Sequence, residues 1–125
     1  MSSGKQPLEQ KIQDELIEFL GARGWLVERM IGNALQRGIP DLFLYHRKYE
    51  YRWVDVKRPD KYSFTKAQKE KWPRWTQYGV GIWILTGAND TEYAKLFQPP
   101  NWRAYWKDSW GTPINVDEVL DLIEG

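Results

Sequence analysis

Apolar residues first recur at helical spacing, with Leu8, Ile12, Leu16, Phe19 and Leu20 on one stripe and glycines at 21 and 24 near its end. This spacing predicts a helix over Leu8 to Arg23. Residues 25 to 30 (WLVERM) read as a strand, followed by an irregular loop, GNALQRGIP. Residues 41 to 46 and 51 to 57 are two further strands, joined at hairpin spacing by a short turn around Arg47 to Glu50. Ser63 to Gly79 predicts a second helix, opening at Ser63 or Thr65 and broken or kinked near Pro73. Residues 80 to 86 (VGIWILT) form a buried strand. The order αβββαβ implies an α/β domain, a mixed sheet with helices packed on it. Beyond Gly87 the pattern weakens. A Pro- and Trp-rich stretch, QPPNWRAYWKDSWGTP, leads to a short acidic helix, VDEVLDLIE, and this extension is expected to be an appendage to the sheet.

At 125 residues the chain has the length of one domain, and no repeat or linker divides it. The chain contains no cysteine and one histidine, His46, so thiolate sites and histidine clusters are excluded. Any metal must be held by oxygen, which favours Mg²⁺ or Mn²⁺ over zinc. The segment MSSGKQPLEQKIQDE lacks the apolar core of a signal peptide, and VGIWIL is too short to cross a bilayer. A cytoplasmic protein with no membrane partner is the expectation.

The net charge of +1 conceals a division along the chain. Residues 47 to 74 carry ten Lys and Arg against four Asp and Glu, a balance of +6, and the remainder carries eight against thirteen, a balance of −5. A basic middle segment suits a polyanion-binding surface, and equally a solvated lysine-rich helix face. Eight of the nineteen aromatic residues are Trp; most should be core or half-buried sheet positions, with a minority available to stack on bases.

In the strand YRWVDVK, alternation puts Tyr51, Trp53, Asp55 and Lys57 on one face and Val54 and Val56 on the other. An acid and a lysine two apart can hold a metal and a water at one place, or form an ordinary surface charge pair. In GIPD, Gly38 and Pro40 constrain the entry to the preceding strand and fix the direction of Asp41, which caps the turn or serves a partner. Antiparallel pairing brings Asp41 near Asp55 and Lys57. Two adjacent carboxylates repel, and a divalent ion removes that conflict. On the same ground, removing Asp55 is expected to raise stability in metal-free buffer.

At about 100° per residue, the first helix's stripe spans roughly 0° (Leu8) to 120° (Leu20), with Glu9 inside it near 100° and Glu18 outside near 280°. Glu9 therefore faces the protein, or serves as a first-turn charge on the helix dipole. Glu15, near about −20°, is the rival. Gln68, three residues after Thr65, fits a capping box, and it also stands where it could point at the strand that bears Asp55.

Glu9, the Pro40-Asp41 pair, the Asp55-Val56-Lys57 triplet and Gln68, in this order, resemble the PD-(D/E)XK nuclease superfamily, and within it most the VRR-NUC domains. The resemblance covers about residues 8 to 86, leaving 87 to 125 as the extension. It implies a restriction-endonuclease-like αβββαβ core with a mixed central sheet flanked by helices. It also implies Mg²⁺- or Mn²⁺-dependent cleavage of phosphodiester bonds in DNA, including branched DNA such as Holliday junctions in recombination and repair, often by homodimers. On this resemblance Asp41, Asp55 and the Val56 backbone carbonyl hold the metal. Glu9 helps hold a water or second ion, Lys57 orients the attacking water or stabilises phosphoryl charge, and Gln68 orients Lys57 or the phosphate backbone. Arg58, Lys61, Lys66 and Lys69 grip flanking phosphates. Asp55 stands where VRR-NUC domains more often carry Glu. Two other readings stay open: a non-catalytic nucleic-acid-binding module on the same fold, and a protein-interaction domain using the Trp-rich tail.

Overall fold

The computed structural model describes residues 7–30 and 37–113. The acidic helix read at 116–124 and most of the loop at 32–40 lie outside the described residues. Helix α1 (Pro7–Gly21) leads into three strands, β1 (Trp25–Arg29), β2 (Leu42–His46) and β3 (Glu50–Val56). Helix α2 (Lys66–Gln77), strand β4 (Ile82–Leu85) and the short helix α3 (Asp90–Ala94) follow. Three 3₁₀ turns, Lys95–Phe97, Trp102–Tyr105 and Asp108–Trp110, complete the described chain. The αβββαβ order read from hydrophobic spacing is the observed order.

The strands lie in the order β1-β2-β3-β4, antiparallel across the first two pairs and parallel between β3 and β4. Alternation explains the two cores. Val54 and Val56 face one way, onto Leu42, Leu44 and the α1 stripe of Ile12, Leu16 and Leu20. Trp53 and the β4 residues Ile82 and Ile84 face the other way, onto Trp72 and Trp75 of α2 and onto Trp102. The result is α1 on one face of the sheet, and α2 with the extension on the other. All eight Trp are buried or half-buried.

Three expectations need correction. Helix α2 is continuous from Lys66 to Gln77 with Pro73 inside it, so the proline does not break the element. Pro73 is buried in the same helix as Trp72, and tertiary packing outweighs its local cost. Leu8, taken as part of the α1 stripe, is exposed. The extension is not an appendage. Trp102 is 1% exposed and belongs to the second core, and its indole N–H donates to Thr76 Oγ1 at 2.9 Å.

The extension also closes the outer edge of β4. The Asn101 side-chain amide accepts from the Ile84 N–H at 2.6 Å and donates to the Ile84 carbonyl at 3.0 Å, as a neighbouring strand's peptide group would. An open strand edge invites pairing with another chain. Here one side chain occupies it.

Candidate active site

The β2–β3 register places Leu42 opposite Val54, so Asp41 and Asp55 form the next pair at the mouth of the hairpin. Main-chain groups orient both carboxylates. The Asp41 N–H donates to Asp55 Oδ1 at 3.3 Å, and the Val56 N–H donates to Asp41 Oδ2 at 2.9 Å. Met30 extends the β1 edge of this row, its N–H donating to the Asp41 carbonyl at 2.8 Å.

Lys57 follows the last residue of β3, and its N–H donates to the Leu85 carbonyl of β4 at 3.2 Å, which prolongs the parallel ladder by one residue. Its ammonium lies 2.9 Å from Asp55 Oδ2. Gln68, in the first turn of α2, completes the group: Lys57 Nζ donates to Gln68 Oε1 at 3.1 Å, and Gln68 Nε2 donates to Asp55 Oδ1 at 3.4 Å. The capping box is present as well. The Gln68 N–H donates to Thr65 Oγ1 at 3.1 Å, while Gln68 Oε1 accepts from the Thr65 N–H at 3.0 Å. Both readings of Gln68 therefore hold at once, and one side-chain oxygen both caps α2 and meets Lys57.

Asp55 is 0% and Lys57 5% exposed. Exchanging such a buried pair for apolar residues of similar volume is often neutral, or stabilising by about 1–4 kcal/mol, so packing alone does not call for these charges. Charged groups kept in a small core against that tendency make this a candidate site for chemistry.

Several neighbours hold the group in place, and the sequence reading did not single them out. The Lys57 ammonium lies 5.2 Å from the centroid of Phe64 and 5.8 Å from that of Trp72. Trp72 is four residues after Gln68, one helical turn along the same face of α2, which was a legible signal. Its indole N–H donates to the Gly38 carbonyl at 2.7 Å and so ties α2 to the GIPD turn. Gly38 has φ +84°, and a Cβ there would stand 2.8 Å from the Ala67 carbonyl oxygen. Only glycine serves both the left-handed backbone and that close approach.

Glu9 lies half-buried in the first turn of α1, whereas the rival Glu15 is exposed. Among the described residues, no three acidic or histidine side chains converge as a metal cluster. The donors the fold does bring together are the Asp41 and Asp55 carboxylates beside the Val56 main chain, with a cationic ammonium already at Asp55. Paired carboxylate oxygens suit Mg²⁺ or Mn²⁺, which need only one or two protein carboxylates, the rest coming from water and phosphate. Of the four predicted phosphate-gripping residues, Lys61 and Lys66 are exposed and Lys69 half-buried. Arg58 is engaged by Asp60, with Nε to Oδ1 at 3.2 Å and the terminal nitrogen to Oδ2 at 3.0 Å. That hydrogen bond holds the Asp60 carboxyl below its ordinary range.

No family model and no curated protein matches the chain. Among solved structures, a VRR_NUC domain superposes with a TM-score of 0.60, covering 74% of this chain and 97% of its own, at 20% sequence identity. The three antiparallel strands, the crossover helix and the parallel fourth strand are thus a known arrangement, and the chain folds as a VRR-NUC-like domain.

Proposed function

We propose that the protein is an Mg²⁺- or Mn²⁺-dependent endonuclease that hydrolyses phosphodiester bonds in DNA, with branched DNA such as Holliday junctions as its substrate. One observation carries this reading. Asp41, Asp55, Lys57 and Gln68 form a continuous hydrogen-bonded and ion-paired group, three of the four buried, in a small core where apolar residues of similar volume would often serve stability as well.

The Asp41 and Asp55 carboxylates and the Val56 carbonyl would hold the ion, with Glu9 at the first turn of α1 supporting a water or a second ion. When bound, such an ion polarises the scissile phosphate and lowers the pKa of a water molecule. The remaining work falls to side chains. Lys57 presents a fixed ammonium that stabilises charge developing on the phosphoryl oxygens or orients the attacking water. Gln68 keeps that ammonium in place through its Oε1, and its own position is set by the cap of α2. Arg58, Lys61, Lys66 and Lys69 contact flanking phosphates, Arg58 after exchanging Asp60 for phosphate. A homodimer would present two such sites to the two strands of a junction.

The test is incubation of the full chain with nicked, flapped and four-way DNA in the presence of Mn²⁺. Cleavage that stops on chelation is the expected result. Intact binding without cleavage of any of these substrates would overturn the reading and favour a non-catalytic nucleic-acid-binding module.

A further inference from the structure

The extension sets additional cations beside the candidate site. Phe64, buried, connects the two regions: its ring is 5.2 Å from Lys57 Nζ and 4.9 Å, centroid to centroid, from Trp110. The Trp110 indole gathers two ammonium groups from separate segments, Lys69 of α2 at 4.5 Å and Lys107 of the extension at 5.6 Å. Lys107 is fixed further by donating to the Tyr62 carbonyl at 3.0 Å, with its ammonium 4.7 Å from the Tyr62 ring centroid.

Two like charges converging on one ring repel, and an exposed cation–π contact returns only about 0.5–1 kcal/mol each. Among the described residues neither Lys69 nor Lys107 forms an ion pair with an acid. Lys95 differs, because Glu92 holds it at 2.6 Å. Lys107 itself is exposed and Lys69 half-buried, over the half-buried rings of Trp110 and Tyr62. Two ammonium groups on one ring, neither ion-paired with a carboxylate among the described residues, are complementary to a phosphate, and Phe64, in contact with both Lys57 and Trp110, sets them near the proposed cleavage site.

Resting on the endonuclease reading above, we propose that Lys107, together with Lys69, holds a backbone phosphate of the nucleic-acid strand that flanks the scissile bond. The extension is then part of the substrate surface. Its aromatic residues fix the spacing of the two cations, and its lysine supplies a charge that the core lacks.

The experiment measures the affinity of the full chain for a labelled four-way DNA by fluorescence anisotropy, over salt from about 50 to 200 mM. Lys107→Ala and Lys69→Ala should each lower the slope of log affinity against log salt, by up to about 0.9 for the one phosphate they share, while the ion-paired control Lys95→Ala leaves it unchanged. Thermal melting of Lys107→Ala, an exposed position, should match the unsubstituted chain and show that the fold is kept. An unchanged slope in Lys107→Ala overturns this inference alone. An equal slope change in Lys95→Ala also overturns it, since overall charge would then account for the effect. Absence of salt-dependent binding by the unsubstituted chain overturns it together with the endonuclease reading.

Discussion

Asp55 shows how burial reverses an expectation drawn from charge alone. Repulsion between Asp41 and Asp55 would make removal of Asp55 stabilising in metal-free buffer. The structure pairs Asp55 with Lys57 at 2.9 Å, both in the interior. Breaking a buried pair strands the surviving charge, at a cost of about 3–5 kcal/mol. Asp55→Ala should therefore lower the urea midpoint, and the double variant Asp55→Leu with Lys57→Met should recover most of that loss. Equal destabilisation in the single and double variants would show that the pair is not the reason. At this scale much of the site was legible. Alternation along YRWVDVK put Asp55 and Lys57 on one face, and hairpin spacing brought Asp41 to them. The spacing of Trp72 from Gln68 was legible too, but the contact of Phe64 with Lys57 was not, because it depends on where the loop before α2 docks.

Between elements, position is set by a few specific ties. The Trp72–Gly38 hydrogen bond and the close approach of Gly38 to Ala67 hold the GIPD turn against α2. Gly38→Ala adds a Cβ at a left-handed φ against a main-chain oxygen. It should cost at least ~1 kcal/mol in chemical denaturation and reduce cleavage by displacing Asp41; wild-type stability would refute this tie. A second tie joins α1 to β1, where Arg29 donates to Asp14 Oδ1 at 2.8 Å. This hydrogen bond, with a further one from Gln10, holds the Asp14 carboxyl below its ordinary 3.8. A lowered carboxyl stabilises the fold at pH above the ordinary value, and that contribution fades as pH falls through the lowered one. The stability gap between the unsubstituted chain and Arg29→Ala should thus be constant above about pH 5 and close on further acidification. A gap independent of pH down to 2 would exclude this pair as its source. The regular elements were legible because their periods are 3.6 and 2. The extension was not, because its 3₁₀ turns have no such period and only tertiary contact orders them.

For the molecule as a whole, the sheet core and the extension form one unit. Asn101 completes the edge of β4, and Trp102 fills the second core. Asn101→Ala would leave the Ile84 N–H and carbonyl without those partners, and should cost about 1–3 kcal/mol in calorimetry or chemical denaturation. Stability equal to the unsubstituted chain would mean that water replaces the amide without loss. The proposed chemistry lies where this unit brings the hairpin mouth and the start of α2 together, and the most direct measurement is cleavage of four-way DNA with Mn²⁺ by the unsubstituted chain and by Asp41→Asn, Asp55→Asn and Lys57→Gln. The account predicts Mn²⁺-dependent cleavage that falls by about 100-fold or more in each variant while far-UV circular dichroism is unchanged. Full activity in any one variant would remove that residue from the site, and full activity in all three would contradict the account.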